Sequence, residues 1–330
     1  MNEFRLPLGD GAEAVIDVLT DALAGFFAVV RAVFAGFYDL VDLVLSTPPF
    51  WAVIIAVAAL AWFAKGWKLA VGTVLGFLVI VGVDQWDNAM DTLALVLVSS
   101  AIAVAISIPL GVLAARNDVA SRVIRPVLDF MQTMPAFVYL IPALILFRVG
   151  VVPGIVATIV FAMAPGVRLT ELGIRGVDRE VVEAGHAFGS SPWRILRQIQ
   201  LPLAMPSIMA GINQVIMLSL SMVVIAGMVG AGGLGGDVVQ SLTRIDVGLG
   251  FEAGLSVVIL AIVLDRITGG LGGRARPRTG SRARRPKPAT TDAASEPASA
   301  APAASEPATA APERAEPPMA APEPAEPARA

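Results

Sequence analysis

The sequence contains no cysteine and a single histidine, His186, among its 330 residues. Disulfides and thiolate metal sites are therefore excluded, and one imidazole cannot build a multi-histidine metal centre. Lysine is almost as scarce. Lys65, Lys68 and Lys287 all lack a preceding glycine, so the GK pair of a phosphate-binding P-loop cannot form. No HExxH or GxSxG stretch occurs, and few nucleophile–base pairs are left for an enzyme to use. Charge is thin throughout: 15% of residues are charged and 56% hydrophobic, whereas an ordinary soluble domain carries about a quarter charged residues. Several apolar runs reach the ~20 residues needed to cross a hydrocarbon core. An integral membrane protein is the class that fits.

The opening residues, "MNEFRLPLGDGAEAVIDVL", lack a basic segment followed by an apolar core and a small-residue cleavage site, so no cleavable signal peptide is expected. Over residues 12–46, Glu13, Asp17, Asp21, Ala24, Ala28, Arg31, Ala35, Asp39, Asp42 and Ser46 recur at steps of three or four. Ile16, Leu19, Leu23, Phe26, Phe27, Val30, Phe34 and Phe37 occupy the opposite face. This period predicts one amphipathic helix lying in the membrane interface. A tilted spanning helix packed in a bundle is the alternative, disfavoured because acidic residues within a span are costly. Seven spans are expected to follow, at about 50–64, 67–83, 91–115, 134–149, 152–168, 205–229 and 250–268. One side of that scheme collects Lys65, Lys68, Arg116, Arg122, Arg125, Arg168, Arg175, Arg179, Arg194, Arg197 and Arg266, and the other only Arg5, Arg31, Arg148 and Arg244. Basic residues favour the cytoplasmic side, which places the N-terminus outside and the C-terminus in the cytoplasm.

Beyond the last span the composition changes. Residues 269–287 are glycine-rich and basic, suited to anionic headgroups or to a simple stop-transfer flank. The remainder repeats Ala, Pro and Glu, cannot bury a core and is expected to be disordered. Three regions result: 1–48 with the amphipathic helix, 49–268 with the spans, and a tail over 269–330. The stretch "GAGGLGG" (230–236) follows an apolar span rather than a strand, which predicts a flexible extracellular loop and not a nucleotide site. A secondary transporter would carry coupling carboxylates or histidines in mid-bilayer, and these spans place none there. A channel would leave the long polar segment between the fifth and sixth spans unexplained. Asn213, Gln214, Ser219 and Ser221 are polar but not ionisable, and suit either interhelical hydrogen bonds or a water-filled pathway.

That polar segment is "EAGHAFGSSPWRILRQIQLP", residues 183–202. Asp178 is a good N-cap for a short helix through Phe188, and Gly189 suits the left-handed position that closes it. Ser191 can cap a second helix that begins at Pro192, where a missing N–H costs nothing. Pro202 is expected to break that helix before the next span. Ala184 and Gly185 predict a low surface open to close approach, and Glu183 offers a charge to a partner. Two short helices at a glycine corner make a projection built to be gripped.

The spacing Glu183-Ala184-Gly185, three residues, Gly189, nine residues, Ile199-x-Leu201-Pro202 resembles the "EAA" loop of bacterial ABC importer permeases. Only Gly185 departs, where alanine is usual; the surface stays small, at a local helix cost of about 1 kcal/mol. The stretches "LDFMQTMPAFVYLIPALILF" (128–147), "LPLAMPSIMAGINQVIMLSLSMVVIAGMVG" (201–230) and "GFEAGLSVVILAIVLDRIT" (250–268) look like the glycine betaine/proline permeases of osmoprotectant importers. The likeness covers residues 50–268, and the N-terminal helix also fits that group. It implies an all-α integral membrane protein of about seven transmembrane helices, the type I ABC importer permease fold, in the bacterial inner membrane. It further implies that loop 178–202, through Glu183, Ala184, Gly185, His186, Phe188, Gly189, Ile199, Leu201 and Pro202, seats in a separate ABC ATPase subunit that binds the ATP. The chain itself would need no cofactor. A substrate-binding protein outside, a second permease copy and membrane lipid complete the implied partners; nucleic acid is not among them. Gln132, Met134, Asn213, Gln214, Ser219 and Ser221 are then pathway candidates. Glycine betaine leads as the solute, before proline betaine, proline, choline and carnitine, and any aromatic cage for its ammonium group belongs to the binding protein.

Overall fold

The computed structural model describes residues 8–273; Arg5, all but the first residues of the basic segment 269–287 and the whole of the remainder expected to be disordered lie outside that range. Among the described residues every regular element is helical. Three long helices form the centre: α5 (Trp86–Arg116), α8 (Val151–Arg175) and α11 (Leu201–Ser221). A Cβ added at Gly111 would lie 2.5 Å from Thr170, and one at Gly166 would lie 2.5 Å from Ser107, so α5 and α8 run parallel in close contact. Gly154 faces Ala226, Gly166 faces Val215 and Gly173 faces Ser207 and Ala204, an antiparallel match for α11 and its continuation α12 (Val223–Gly227). Lipid gives helices no hydrophobic reason to associate, and small residues let backbones approach closely enough for dispersion to hold them. Val96, Ala103, Ile155, Ala162, Val215 and Val223 fill the seam between these helices.

The other elements wrap this centre. α3 (Phe50–Lys65) and α4 (Trp67–Gly82) form a hairpin at Gly66 (φ 97°), and α14 (Val247–Gly273) packs with them over Phe77, Ile80 and Leu260. At 16 residues each, α3 and α4 are about 24 Å long, shorter than a ~30 Å hydrocarbon core. Four helical runs are long and apolar enough to cross a membrane: α5, α8, Pro192–Gly227 and the run Val247–Gly272. The count rises to six if two bent pairs each make one span. One of the seven expected crossings is corrected. Residues 134–149 are not a span of their own, because α7 (Ala136–Phe147) has only 12 residues. It continues α6 (Asp118–Thr133) across a 98° bend. Pro135 supplies the cause: it drives Met134 out of the helical region, to ψ 137°. α6 itself was not expected from the sequence.

The single helix expected over 12–46 is divided at Leu23 (φ −115°, ψ 18°) into α1 (Leu8–Ala22) and α2 (Ala24–Ser46), bent by 81°. α2 lays Phe34, Tyr38 and Val41 on the central core, and each segment follows the packing surface available to it. Phe27 stacks edge-on against Phe147 at the end of α7, with ring centroids 5.5 Å apart. At the other end, Phe50, four residues beyond α2, stacks against Trp86 at the start of α5 with ring centroids 6.2 Å apart. Both ends of α2 therefore sit at the end of the bundle remote from residues 178–202.

Candidate functional site

The 178–202 projection is built from caps. The Asp178 carboxylate accepts from Glu180 N at 3.0 Å and starts α9 (Arg179–Ala187). Gly189 turns the corner at φ +73°, and Ser190 N donates to Gly185 O at 3.1 Å. Ser191 Oγ then accepts from Arg194 N at 3.4 Å, and Pro192 opens α10 (Pro192–Ile195). The expected break at Pro202 is absent. Leu196–Gln200 form a π turn, with Leu201 N bonded to Leu196 O, and α11 follows directly. The wider turn lets a proline that cannot donate enter near the start of the next helix.

A second expectation is also corrected. Gly185 is buried, and a Cβ there would lie 2.9 Å from Ile199 Cδ1 and 3.3 Å from Ile195 Cγ1. Its smallness serves the contact between α9 and the π turn, while Ala184 alone stays on the surface. Leu196, fully buried with Ile174, Val177, Ala204 and Ile208, roots the projection in the bundle. Ile199 and Leu201 are half-buried, and Glu183, His186 and Pro202 are exposed. At the tip Phe188 is 89% exposed and Trp193 61%, an apolar surface of the kind that marks a protein contact. Behind α9 a cleft of about 310 Å³ is lined by Arg116, Arg175, Arg179, Glu183 and His186.

The pathway candidates do not converge. Asn213 donates to Asp265 Oδ1 at 3.0 Å and accepts from Thr268 Oγ1 at 2.5 Å, joining α11 to α14. Ser219 of α11 is fully buried, its Oγ without a hydrogen-bond partner. Gln214 and Ser221 are exposed, and Ser221 donates to Met217 O within its own helix. Gln132 and Met134 stand apart at the α6–α7 bend. Among the described residues no group of three or more His, Asp or Glu could hold a metal ion.

Residues 230–236 are not a flexible loop. Gly233–Arg244 form α13, and Leu234 N donates to Thr92 Oγ1 at 2.9 Å. Asp237 Oδ2 accepts from Gln85 Nε2 at 2.9 Å and Asn88 Nδ2 at 2.7 Å, fastening α13 to the start of α5. The glycines serve close packing: a side chain at Gly235 would overlap the carbonyl of Val223.

The sequence reading also passed over a buried charge. Glu171, near the loop end of α8, accepts from Ser121 Oγ (2.7 Å), Arg125 Nη2 (2.9 Å) and Nε (3.3 Å), and pairs with Arg175 Nε at 3.0 Å. The signal that could have found it is a charge row at helical spacing on both partners: Asp118, Arg125 and Asp129 against Arg168, Glu171 and Arg175.

Comparison with known proteins places this geometry. Residues 107–278 match the family described as "Binding-protein-dependent transport system inner membrane component". The chain is 48% identical to the glycine betaine/carnitine transport permease protein GbuB of Listeria monocytogenes, over 80% of this chain and 94% of that protein. It is 45% identical to the glycine betaine/proline betaine transport system permease protein ProW of Escherichia coli, over 82% of this chain and 75% of that one. In fold it matches a chain of the MetNI methionine ABC transporter in an inward-facing conformation, with a TM-score of 0.54 at 22% identity over 58% of this chain and 95% of that one.

Proposed function

Because the chain belongs to the binding-protein-dependent transport system inner membrane components, we propose that it is the permease of an ATP-driven importer for glycine betaine-type compatible solutes. The observation that carries this reading is the capped 178–202 projection, rooted by Leu196 and presenting Phe188 and Trp193 at its tip. An ABC ATPase subunit grips that tip, binds the ATP and hydrolyses it; the permease is not itself an enzyme and uses no cofactor. An extracytoplasmic binding protein delivers the solute at the opposite end of the bundle, and a second permease copy completes the pathway within the lipid. Gln132, Met134, Asn213, Gln214, Ser219 and Ser221 are the candidates to line it, Asn213 also joining α11 to α14. Glycine betaine is the leading solute because it is common to the names of both relatives described above. Carnitine, proline betaine, proline and choline follow.

The orientation belongs to the same proposal: N-terminus outside, residues 178–202 and the C-terminus in the cytoplasm. The segregation of Lys and Arg supports it, as does α2, whose two ends both sit away from the projection. The test is radiolabelled uptake after osmotic upshift in cells expressing the permease with its ATPase and binding protein. Glycine betaine uptake above that of cells lacking the permease is expected. Uptake of methionine with betaine ignored would refute the solute and leave the importer standing.

A further inference from the structure

We infer that Glu171 is a positioning residue for transport, the centre of a charge zipper that makes α6 and the 178–202 projection move as one body. The inference rests on the permease reading above and adds a residue and a role to it. The Glu171 side chain is only 4% exposed, and a carboxylate so removed from water persists only when its oxygens are fully bonded. Ser121, Arg125 and Arg175 supply that bonding. Arg175 continues the row, reaching Asp118 Oδ1 at 2.8 Å and the Ala114 carbonyl at 2.8 Å, while Arg168 pairs with Asp129. The pairs Asp118–Arg175, Arg125–Glu171 and Asp129–Arg168 share one antiparallel register along α6 and α8.

Each end of this row leads to a change of chain direction. Arg175 closes α8, just before the Asp178 cap of the projection. Asp129 lies shortly before Pro135, where the chain turns by 98° into α7. A displacement imposed on the projection therefore travels through α8 and the zipper to α6 and the bend. The outer pairs cannot carry it alone: the side chains of Asp118 and Asp129 are 79% and 64% exposed, and exposed ion pairs are screened and geometrically loose. The buried, multiply bonded Glu171 fixes the register. A cluster that only stapled the fold would change the amount of assembled complex, not the solute moved per ATP.

The test uses the full permease with its ATPase and binding protein in proteoliposomes. The first readout is glycine betaine taken up per ATP hydrolysed. That ratio is expected to fall about tenfold in Glu171→Gln and about threefold in Asp118→Asn, whose exposed carboxylate leaves no buried charge behind, and to stay within about twofold of the parent in Glu171→Asp. The second readout is the distance between spin labels on Val123→Cys of α6 and Ala187→Cys of α9, both exposed sites in a chain without cysteine. The parent is expected to keep one distance in nucleotide-free and ATP-trapped states, and Glu171→Gln to give two. A Glu171→Gln complex with the parental ratio, or with a distance as indifferent to nucleotide as the parent's, overturns the inference. If that variant fails to assemble with the ATPase, Asp118→Asn decides, and a parental ratio there overturns it equally. The distance requires only the ATPase. A parent complex that hydrolyses ATP without betaine uptake therefore removes the solute assignment and leaves the zipper to the second readout.

Discussion

Gly189 holds φ +73° at the corner between α9 and α10, a region where a β-branched side chain is strained by about 1–3 kcal/mol. Gly189→Val is expected to insert at near-normal levels but to lose ATP-driven uptake, with weak co-purification of the ATPase. Glu183→Lys, reversing an exposed charge on the same projection, is expected to act likewise; normal docking with normal uptake in both variants would remove the coupling role. Gly185 behaves differently, because its nearest neighbour is the flexible end of Ile199. Gly185→Ala gains up to ~1 kcal/mol of helix propensity against a contact that Ile199 can relieve, so the melting temperature of the purified permease should hold or rise. Gly185→Leu should lower it by forcing α9 off the π turn. These residues mark how far local chemistry can be read. The caps at Asp178 and Ser191 and the corner at Gly189 depend on neighbours a few positions away and were legible. The burial of Gly185 depends on Ile195 and Ile199 being turned toward it, which no short-range pattern states.

At the level of elements, the glycines around α12 and α13 carry the clearest consequence. A methyl at Gly235 meets the Val223 carbonyl, a backbone atom that cannot swing aside. Gly235→Ala is therefore expected to destabilise the permease by about 1–3 kcal/mol through overpacking, read as a lower melting temperature and a lower yield of folded protein. An unchanged melting temperature would mean that this hairpin is looser than described. Glycine enrichment alone is ambiguous between a floppy link and close backbone contact, and only the partner surface decides which. α6 escaped the sequence reading for a related reason. Its residues are too polar for a span, and the helical spacing of Asp118, Arg125 and Asp129 gains meaning only once α8 is set beside it. The cores of α5, α8, α11 and α14 were legible because long apolar runs in a chain this poor in charge have few alternatives.

For the whole molecule, orientation is the property open to direct measurement. In a chain without cysteine, single cysteines at the exposed Ala14 and at Gln240 should react with an impermeant thiol reagent on intact cells, and one at Ala187 only after permeabilisation. Labelling of Ala187→Cys from outside would invert the orientation and remove the cytoplasmic grip on the projection. The number of crossings was hard to read. Hydropathy registers how much apolar sequence is present, whereas the turn at Pro135 and the break at Leu23 redirect that sequence without altering its composition.

The π turn at Leu196–Gln200 gives the helix entering the bundle a phase as well as a direction. It accommodates one residue more than an α-helical path of the same rise, and each residue of an α-helix advances the azimuth by about 100°. The compass bearing at which Trp193 leaves the molecule is thus set by a single surplus residue between it and α11. Rewinding the same residues as an unbroken α-helix would swing Trp193 through roughly a quarter-turn or more about the axis, whereas deleting Gln198 would let an α-helical path of the same rise keep its bearing. Hydropathy is blind to the difference between the two windings, while a partner shaped to the present bearing would find its anchor facing the wrong way on the unbroken helix.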